Sequence, residues 1–556
     1  MQWKSLSCKL SRSTGRTPLV RPKIDINRKA LHFGWCVLAV IIFGLVLAIR
    51  IRLLGIPLER DEGEYAYSGQ LMLQGIPPYK LAYNMKFPGT YAAYAVIMSI
   101  FGQTIHGVHL GLLLVNVATS ALIFVLGRRL MDANAGIVAA ATYAVLSVSP
   151  FVLGFAAHAA HFVMLPVLGG IVLLLHKHDR PAFGRLFATG LLFGLGSMMK
   201  QPGACFVPFA VIYLIWKELQ DWRSLSECSV KILIFSCGVI VPFAMTCLLL
   251  WSAGVLMQFW FWTIDYAREY GNLVPLSEAP RFLLNRAKEV IGANWALWIL
   301  AGVGAVTGLW NQRIRASTVF LLGFLLFSVF ALSAGLYFRH HYFIFILPAV
   351  SLLAGAAITA LSDVLAERTV AGVFVLLVLI AASLGLPIVS YKQLFFEASP
   401  VEASRMIYSE SPFVESIRIA DYVREHTNGD DAIAVLGSEP EIYFYSRRHS
   451  ATGYIYTYGL MEPQKYARRM QEEMISEIEH ARPKYLISVV MHDSWLKRSG
   501  SDRLIFDWAT QYLANNYTVA GFVNLVAPGE TDYYFEDIPQ SVPQLGNYIL
   551  IYEKKS

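Results

Sequence analysis

Eleven stretches of this chain are apolar and close enough to 20 residues long to cross a bilayer. Nothing else in the sequence constrains the fold as strongly. They lie near 30–50, 107–127, 134–157, 161–176, 184–200, 202–217, 230–252, 292–310, 316–335, 342–361 and 370–390. Inside hydrocarbon every backbone N–H and C=O must find its partner within the chain, so segments of this length are helices. Composition agrees. The chain is 56% hydrophobic and 15% charged, whereas a soluble protein carries nearer a quarter of charged residues. The expected fold class is a polytopic α-helical membrane protein of about 11 spans. GTYAAYAVIMSIFG (89–102) is apolar but short, and fits a helix lying in the interface.

Charge sets the orientation. The formal net charge is +7, but the basic residues form no stripe. They gather at span ends and in the first 29 residues, which excludes nucleic acid as a partner. Basic loops stay in the cytoplasm. That places the tail 1–29 there, and alternation adds Arg128–Arg129, 176–185, 217–223, 311–315 and 366–369. Arg50 and Arg52, at the outer end of the first span, are exceptions. The opposite, extracytoplasmic side receives 53–106, 253–291, 335–341 and everything after about 391. The run ALHFGWCVLAVIIFGLVLAI lacks an A-x-A cleavage site, so it is expected to remain as a span. The last of six cysteines is Cys247, so no disulfide is expected beyond it, and no Cys/His metal spacing occurs.

Residues 391–556 change character. Strand-like runs at 432–438, 484–490, 517–526 and 547–554 alternate with helical patterns at 414–426, 462–481 and 502–515. This predicts an extracytoplasmic α/β domain. Three parts follow: a tail 1–29 expected in the cytoplasm, a transmembrane domain 30–390 that includes the outer loop 53–106, and the α/β domain 391–556. No Gly-rich phosphate loop and no internal repeat is visible.

No expected span holds Asp or Glu in its apolar interior, which disfavours an ion-coupled transporter. The acids crowd the outer mouth of the first span instead, in ERDEGEYAY (59–67). Glu59, Asp61, Glu62 and Glu64 make either a solvated turn or a site that binds cations and moves protons. Lys86 precedes Phe87–Pro88–Gly89 at headgroup level. It suits a lipid phosphate, or simply snorkels. His158 and His161, in HAAHF, could bind a metal or hydrogen-bond a sugar, or cap a span. Arg339, His340 and His341, in YFRHHY, offer a second cationic group. QFWFWTIDYAREYGN (258–272) is an aromatic belt or a surface for stacking sugar rings.

The stretch DEGEYAYSGQLMLQGIPPYKLAYNMKFPG (61–89) resembles the first extracytoplasmic loop of the GT-C glycosyltransferases. The closest branch holds protein O-mannosyltransferase-like enzymes and lipid A aminoarabinose transferases. Asp61, Glu62, Tyr65, Ala66, Gly75, Pro78, Tyr79, Lys86 and Pro88 match in order. GSMMKQPG (196–203) and HYFIFILPAVSLLAG (341–355) are similar to later segments. The resemblance implies a polyprenyl-phosphate sugar donor, a glycan, lipid or protein acceptor, and inverting transfer on the outer face of a bacterial plasma membrane. Asp61 corresponds to the family's catalytic base, with Glu62 beside it, and Lys86 to the lysine on the donor phosphate. Tyr65, Tyr79, His161, Arg339 and His341 are the further expected substrate-binding residues. A divalent cation is the one cofactor implied, and whether it binds stays open. Met85 stands where some relatives carry a metal-binding Glu, and HAAHF lacks the acid that relatives place near the outer end of span three.

The chemistry also stands on the residues. Attack of a hydroxyl on an anomeric carbon needs a base near the hydroxyl and help for the departing phosphate. Asp61 and Lys86 supply both from one loop. The rival classes are a transporter or flippase of lipid-linked glycans and a membrane-anchored binding protein.

Overall fold

A computed structural model of the protein describes residues 20–176, 183–220, 225–362, 370–527, 529–535, 538 and 546–555. The tail up to residue 19 lies outside the described residues, as do most of the basic loops at 176–185, 217–223 and 366–369. Among the described residues, seven helices are long and apolar enough to cross a membrane: His32–Arg52, Ile105–Leu130, Gln201–Gln220, Ser226–Ser252, Ala279–Trp310, Arg315–Leu332 and Ala371–Ser390. Four shorter apolar helices, Ala133–Leu146, Ala159–Leu174, Phe183–Met199 and Leu347–Leu361, fill the places of the other expected spans. The segment expected in the interface is helical over Gly89–Phe101.

The outer faces of these helices require lipid. In Ser226–Ser252 only 17% of the apolar window is buried, and Leu233, Leu248 and Leu249 are exposed. In water a surface like this would drive aggregation; in hydrocarbon it is the matching face. The protein is an integral membrane protein. Leu347–Leu361 lies at the opposite extreme, with nearly every residue buried at the centre of the bundle.

Two helices are shorter than apolarity suggests, one at its end and one at its start. Ala133–Leu146 stops short because Pro150 and the Ser147–Gly154 turn break it. Before Leu347 the chain is a 3₁₀ segment, His340–Phe345. The first break explains the anomalous Arg50. Its guanidinium is buried and donates to the Ser147 and Gly154 carbonyls at 2.8 and 3.1 Å. Carbonyls at a helix end lack intrahelical partners, and Arg50 supplies them. Its charge therefore serves packing rather than orientation.

In chain order the membrane domain begins with α1 (Val20–Arg52), α2 (Arg60–Leu73), α3 (Gly89–Phe101), α4 (Ile105–Leu130), α5 (Ala133–Leu146), α6 (Ala159–Leu174) and α7 (Phe183–Met199). The acidic stretch is thus the first turns of a helix, not a loop. Beyond Ser390 stands an α/β domain with one five-stranded sheet, β1 (Ile433–Leu436), β2 (Tyr485–Val490), β3 (Tyr517–Ala527), β4 (Glu530–Phe535) and β5 (Tyr548–Lys554). The strand order is β1-β2-β5-β3-β4, with β1 and β2 parallel and the other pairs antiparallel.

The sheet domain is joined directly to α2. Leu58 N–H donates to the Tyr445 hydroxyl, and Arg60 Nε donates to the Ser438 carbonyl at 2.5 Å. Arg60 Nη2 reaches Glu439 at 3.1 Å. Gly63 is obligatory there: a Cβ would lie 2.6 Å from the backbone nitrogen of Glu441.

Candidate active site

Asp61 lies in the first turn of α2. Glu59, just before the helix begins at Arg60, is the N-cap. Its carboxylate accepts from Glu62 N–H, while Glu62 accepts from Glu59 N–H. This reciprocal cap sets the start of the helix, and the helix N-terminus favours an anion at Asp61.

Asp61 and Lys86 meet. Lys86 Nζ is 3.0 Å from Asp61 Oδ1 and 2.7 Å from Glu64 Oε2. Asp61 and Glu64, three residues apart, share one helical face. Tyr91 donates to the other Glu64 oxygen at 2.7 Å. The Tyr65 ring lies 4.6 Å beneath the ammonium. Tyr79 adopts the left-handed region, φ 66°, and its hydroxyl donates to the Lys86 carbonyl. The loop 74–88 is thus fixed from both ends around the lysine.

The electrostatics follow from this arrangement. Burial raises the Asp61 pKa, but Lys86, with His158 and Lys200, outweighs it and holds the carboxyl below the usual range. Burial also opposes charge on Lys86, yet Asp61 and Glu64 keep it firmly protonated. Glu64, fully buried, is pushed up by burial despite its lysine.

The second Asp61 oxygen faces two imidazoles. Oδ2 is 3.8 Å from His158 Nδ1 and 3.9 Å from His341 Nε2. The rings stack at 4.1 Å. Both buried His158 nitrogens lack hydrogen-bond partners. Burial drives His158 down to about 4 and His341 well below the ordinary value, so both are neutral bases at physiological pH. The ligand atoms of Asp61, His158 and His341 lie within 4.8 Å of one another. Ligands around a zinc-like ion at about 2.0–2.2 Å sit up to about 4.4 Å apart. Two neutral imidazoles and a carboxylate, with orphaned ring nitrogens, therefore fit a divalent cation after a small closure.

A cavity of about 210 Å³ opens beside Asp61. Lys86, Lys200, Arg339 and His341 line it from the membrane side, and Tyr454, Tyr456, Tyr458 and Glu462 from the sheet domain. Tyr456 closes the join, its hydroxyl 3.5 Å from Asp61 Oδ1.

Several expected site residues stand elsewhere. Glu62 turns from the cavity; it accepts from Ala157 N–H at 2.6 Å and lies 3.1 Å from His109. It ties α2 to α4 and to the turn before α6. Tyr79 acts through the Lys86 carbonyl and does not line the cavity. His161 is buried away from it, and His158 takes the position beside Asp61. Of the HAAHF pair, spacing alone cannot say which ring faces the acid. Residues not singled out beforehand are Lys200, within GSMMKQPG, and Tyr456 and Glu462. Lys200 sits 4.1 Å over the Tyr342 ring. The alternating tyrosines of YIYTY, which point to one side of an extended segment, were the available signal for Tyr456.

The chain is similar to known proteins in both sequence and fold. The sequence model of the family described as dolichyl-phosphate-mannose-protein mannosyltransferase matches residues 86–251. An undecaprenyl phosphate-alpha-4-amino-4-deoxy-L-arabinose arabinosyl transferase of Pseudomonas aeruginosa (strain LESB58) is 27% identical over 314 residues. That match covers 54% of this chain and spans about half, 55%, of the relative's length. In structure the chain is similar to ArnT from Cupriavidus metallidurans bound to undecaprenyl phosphate, with a TM-score of 0.58 at 14% identity, covering 93% of this chain and 98% of that one. It is also similar to the Archaeoglobus fulgidus oligosaccharyltransferase in complex with Zn and sulfate, with a TM-score of 0.53 at 15% identity, covering 90% and 74%. The chain has the fold of these membrane glycosyltransferases, and over 54% of its length its sequence is similar to that of the Pseudomonas aeruginosa enzyme.

Proposed function

We propose that the protein transfers a sugar from a polyprenyl-phosphate donor to a hydroxyl of a glycan, lipid or protein on the extracytoplasmic face, with inversion. One observation carries the reading: a buried lysine held between two carboxylates at the mouth of a cavity that opens from a membrane domain. The similarity to ArnT bound to undecaprenyl phosphate supports the donor class.

Asp61 is the general base. The acceptor oxygen attacks the anomeric carbon from the side opposite the phosphate, and its proton passes to Asp61. The bond from that carbon to the phosphate oxygen breaks, and the phosphate leaves with the electron pair. Lys86 and Lys200 hold the departing phosphate, worth most in a site that excludes water. Lys86 is paired with Asp61 until a phosphate draws it away, so donor binding also frees the base. Glu64 and Tyr91 keep the lysine in place, and Glu62 positions α2.

Asp61 Oδ2, His158 and His341 would hold a divalent cation, which supplies positive charge beside the leaving phosphate. Oδ1, beside Tyr456 and freed when Lys86 turns to the phosphate, takes the proton, so the two duties fall on different oxygens.

The basic tail 1–29 lies in the cytoplasm. The loop 53–106 and the domain 391–556 lie outside, so the acceptor arrives from the envelope while the donor comes through lipid. In a variant freed of native cysteines, Lys80→Cys and Gly500→Cys, both at exposed positions, should react with an impermeant maleimide in intact cells, and exposed Arg128→Cys should not. The enzyme reading is tested by incubating purified protein with radiolabelled undecaprenyl-phosphate sugars and envelope acceptors. Transfer that stops in Lys86→Ala and Asp61→Asn supports it. Failure to bind undecaprenyl phosphate sinks it.

A further inference from the structure

The cavity beside Asp61 holds a second carboxylate that the transfer chemistry does not use. Glu462 belongs to the sheet domain and follows the short helix Tyr458–Met461. One of its oxygens accepts from the Tyr266 hydroxyl at 2.9 Å. The other has no protein partner among the described residues. No cation of those residues lies within ion-pair distance of it, and Arg339 and Arg498 act on it only from farther away. Asp61 differs, because Lys86 already meets it. Glu462 is largely buried, and a buried carboxylate without a cation is costly unless something completes it.

Its surroundings indicate what does so. Trp262, Tyr270, Tyr454, Tyr456 and Tyr458 line the same chamber. Aromatic faces pack against the C–H faces of sugar rings, and a carboxylate accepts from ring substituents. The chamber, about 210 Å³, is on the scale of one sugar residue rather than an oligosaccharide. The cationic groups Lys86 and Lys200 lie in the same wall as Asp61, so a phosphate held there leaves the aromatic space for the glycosyl group.

We propose that Glu462 is the sugar-reading residue of this site. Its free oxygen accepts a hydrogen bond from a substituent of the transferred ring, either a hydroxyl or an ammonium. This rests on the polyprenyl-phosphate donor reading above and adds its specificity element. The sheet domain thereby selects which donor occupies the membrane domain's active site. Burial keeps the Glu462 carboxyl pKa raised, with Tyr266 and Arg339 opposing. An ammonium would restore its charge most strongly, whereas a hydroxyl would complete its bonding without doing so.

The test measures binding and needs no acceptor. The full-length protein in nanodiscs is titrated with undecaprenyl phosphate bare, carrying L-arabinose, carrying 4-amino-4-deoxy-L-arabinose, and carrying mannose. Wild type should bind at least one glycosylated form about tenfold or more tighter than the bare lipid, the scale of one hydrogen bond to a charged group. Glu462→Gln keeps the shape and the Tyr266 bond. It should lose most of that gain for an amino sugar and a smaller part for a hydroxyl sugar. Glu462→Ala should lose it for either. Bare-lipid Kd should stay within about twofold in both variants. A gain confined to the amino sugar identifies an ammonium; equal gains for arabinose and its amino counterpart identify a hydroxyl. Two results overturn the inference: no sugar gain in wild type, or a gain that survives Glu462→Ala. Equal weakening of bare lipid overturns it too, because Glu462 would then shape the phosphate site. Absence of bare-lipid binding in wild type would instead refute the donor reading itself.

Discussion

Replacing Asp61 by Asn should move turnover and donor affinity in opposite directions. In the structure Lys86 is 3.0 Å from Asp61 Oδ1, so a donor phosphate must draw the ammonium away from that carboxylate. At an effective dielectric of about 20, unit charges at this distance attract by about 5.5 kcal/mol. Glu64, 2.7 Å from Lys86 on its other side, keeps its hold in the variant. Desolvation offsets much of the rest. A net release of about 1–2 kcal/mol remains, equivalent to undecaprenyl phosphate binding about 5- to 30-fold tighter. Turnover should fall about 10²- to 10⁴-fold, because asparagine cannot take the acceptor's proton. Lipid affinity is read by titration in nanodiscs and turnover with a labelled donor. Unchanged or weaker lipid binding would show that Asp61 does not compete for Lys86. The titration is run with a chelator present, so that the cation proposed at Asp61 Oδ2 does not contribute. Near wild-type turnover would remove Asp61 as the base.

Three further predictions test the supports of the site. Glu441 is fully buried, and burial together with Glu439 raises its pKa from the ordinary 4.5 to about 8. The stability it lends is complete below about 4.5 and lost as pH rises through about 8, so the melting temperature should fall between pH 6 and 9, and less so in Glu441→Gln; identical profiles would contradict this. Gly63→Ala places a Cβ 2.6 Å from the Glu441 nitrogen and should cost about 1–3 kcal/mol together with most activity, and a wild-type melting temperature would show that the domains do not meet as tightly as described. His158→Ala and His341→Ala should each weaken zinc or manganese binding at least about tenfold by calorimetry; if neither does, the cation site is wrong.

The membrane half was legible because apolar length is a strong signal. Runs near 20 residues leave few alternatives, although the helix Ala133–Leu146 is hardly longer than Gly89–Phe101, so length alone does not separate a span from the segment expected in the interface. The strands of the sheet domain were legible for a related reason, since β-branched runs such as Tyr485–Val490 sit between clear helical patterns. Strand β4 was not, because Glu530–Phe535 is half-exposed and mixes charge with aromatics. The acids of 59–64 were visible as a cluster, but not as one reciprocal cap and one ion-paired face, because that division needs the helix. Asp61 with Lys86 followed from one loop. The partners His158, Lys200, Tyr456 and Glu462 come from distant segments, and single-sequence periodicity carries no information on which distant side chains converge. Arg50 misled for the same reason. Its charge reads as orientation until the carbonyls it satisfies are seen.

The contacts between α2 and the sheet domain also set a schedule. Arg60 meets Ser438 across 378 residues, and Tyr456 meets Asp61 across 395. A ribosome adds about 5–20 residues per second, so α2 spends roughly 20–75 s after its synthesis without the groups that pin its first turn. The first span is inserted long before that interval ends. During it the start of α2 has only its own cap and the membrane-domain contacts of Glu62 to hold it, and the wall bearing Tyr456 and Glu462 does not yet exist. Closing so long a loop is entropically slow, and no local helix contact can substitute for it. The proposed activity is therefore withheld from nascent chains already sitting among lipid-linked sugars, with chain topology acting as the timer.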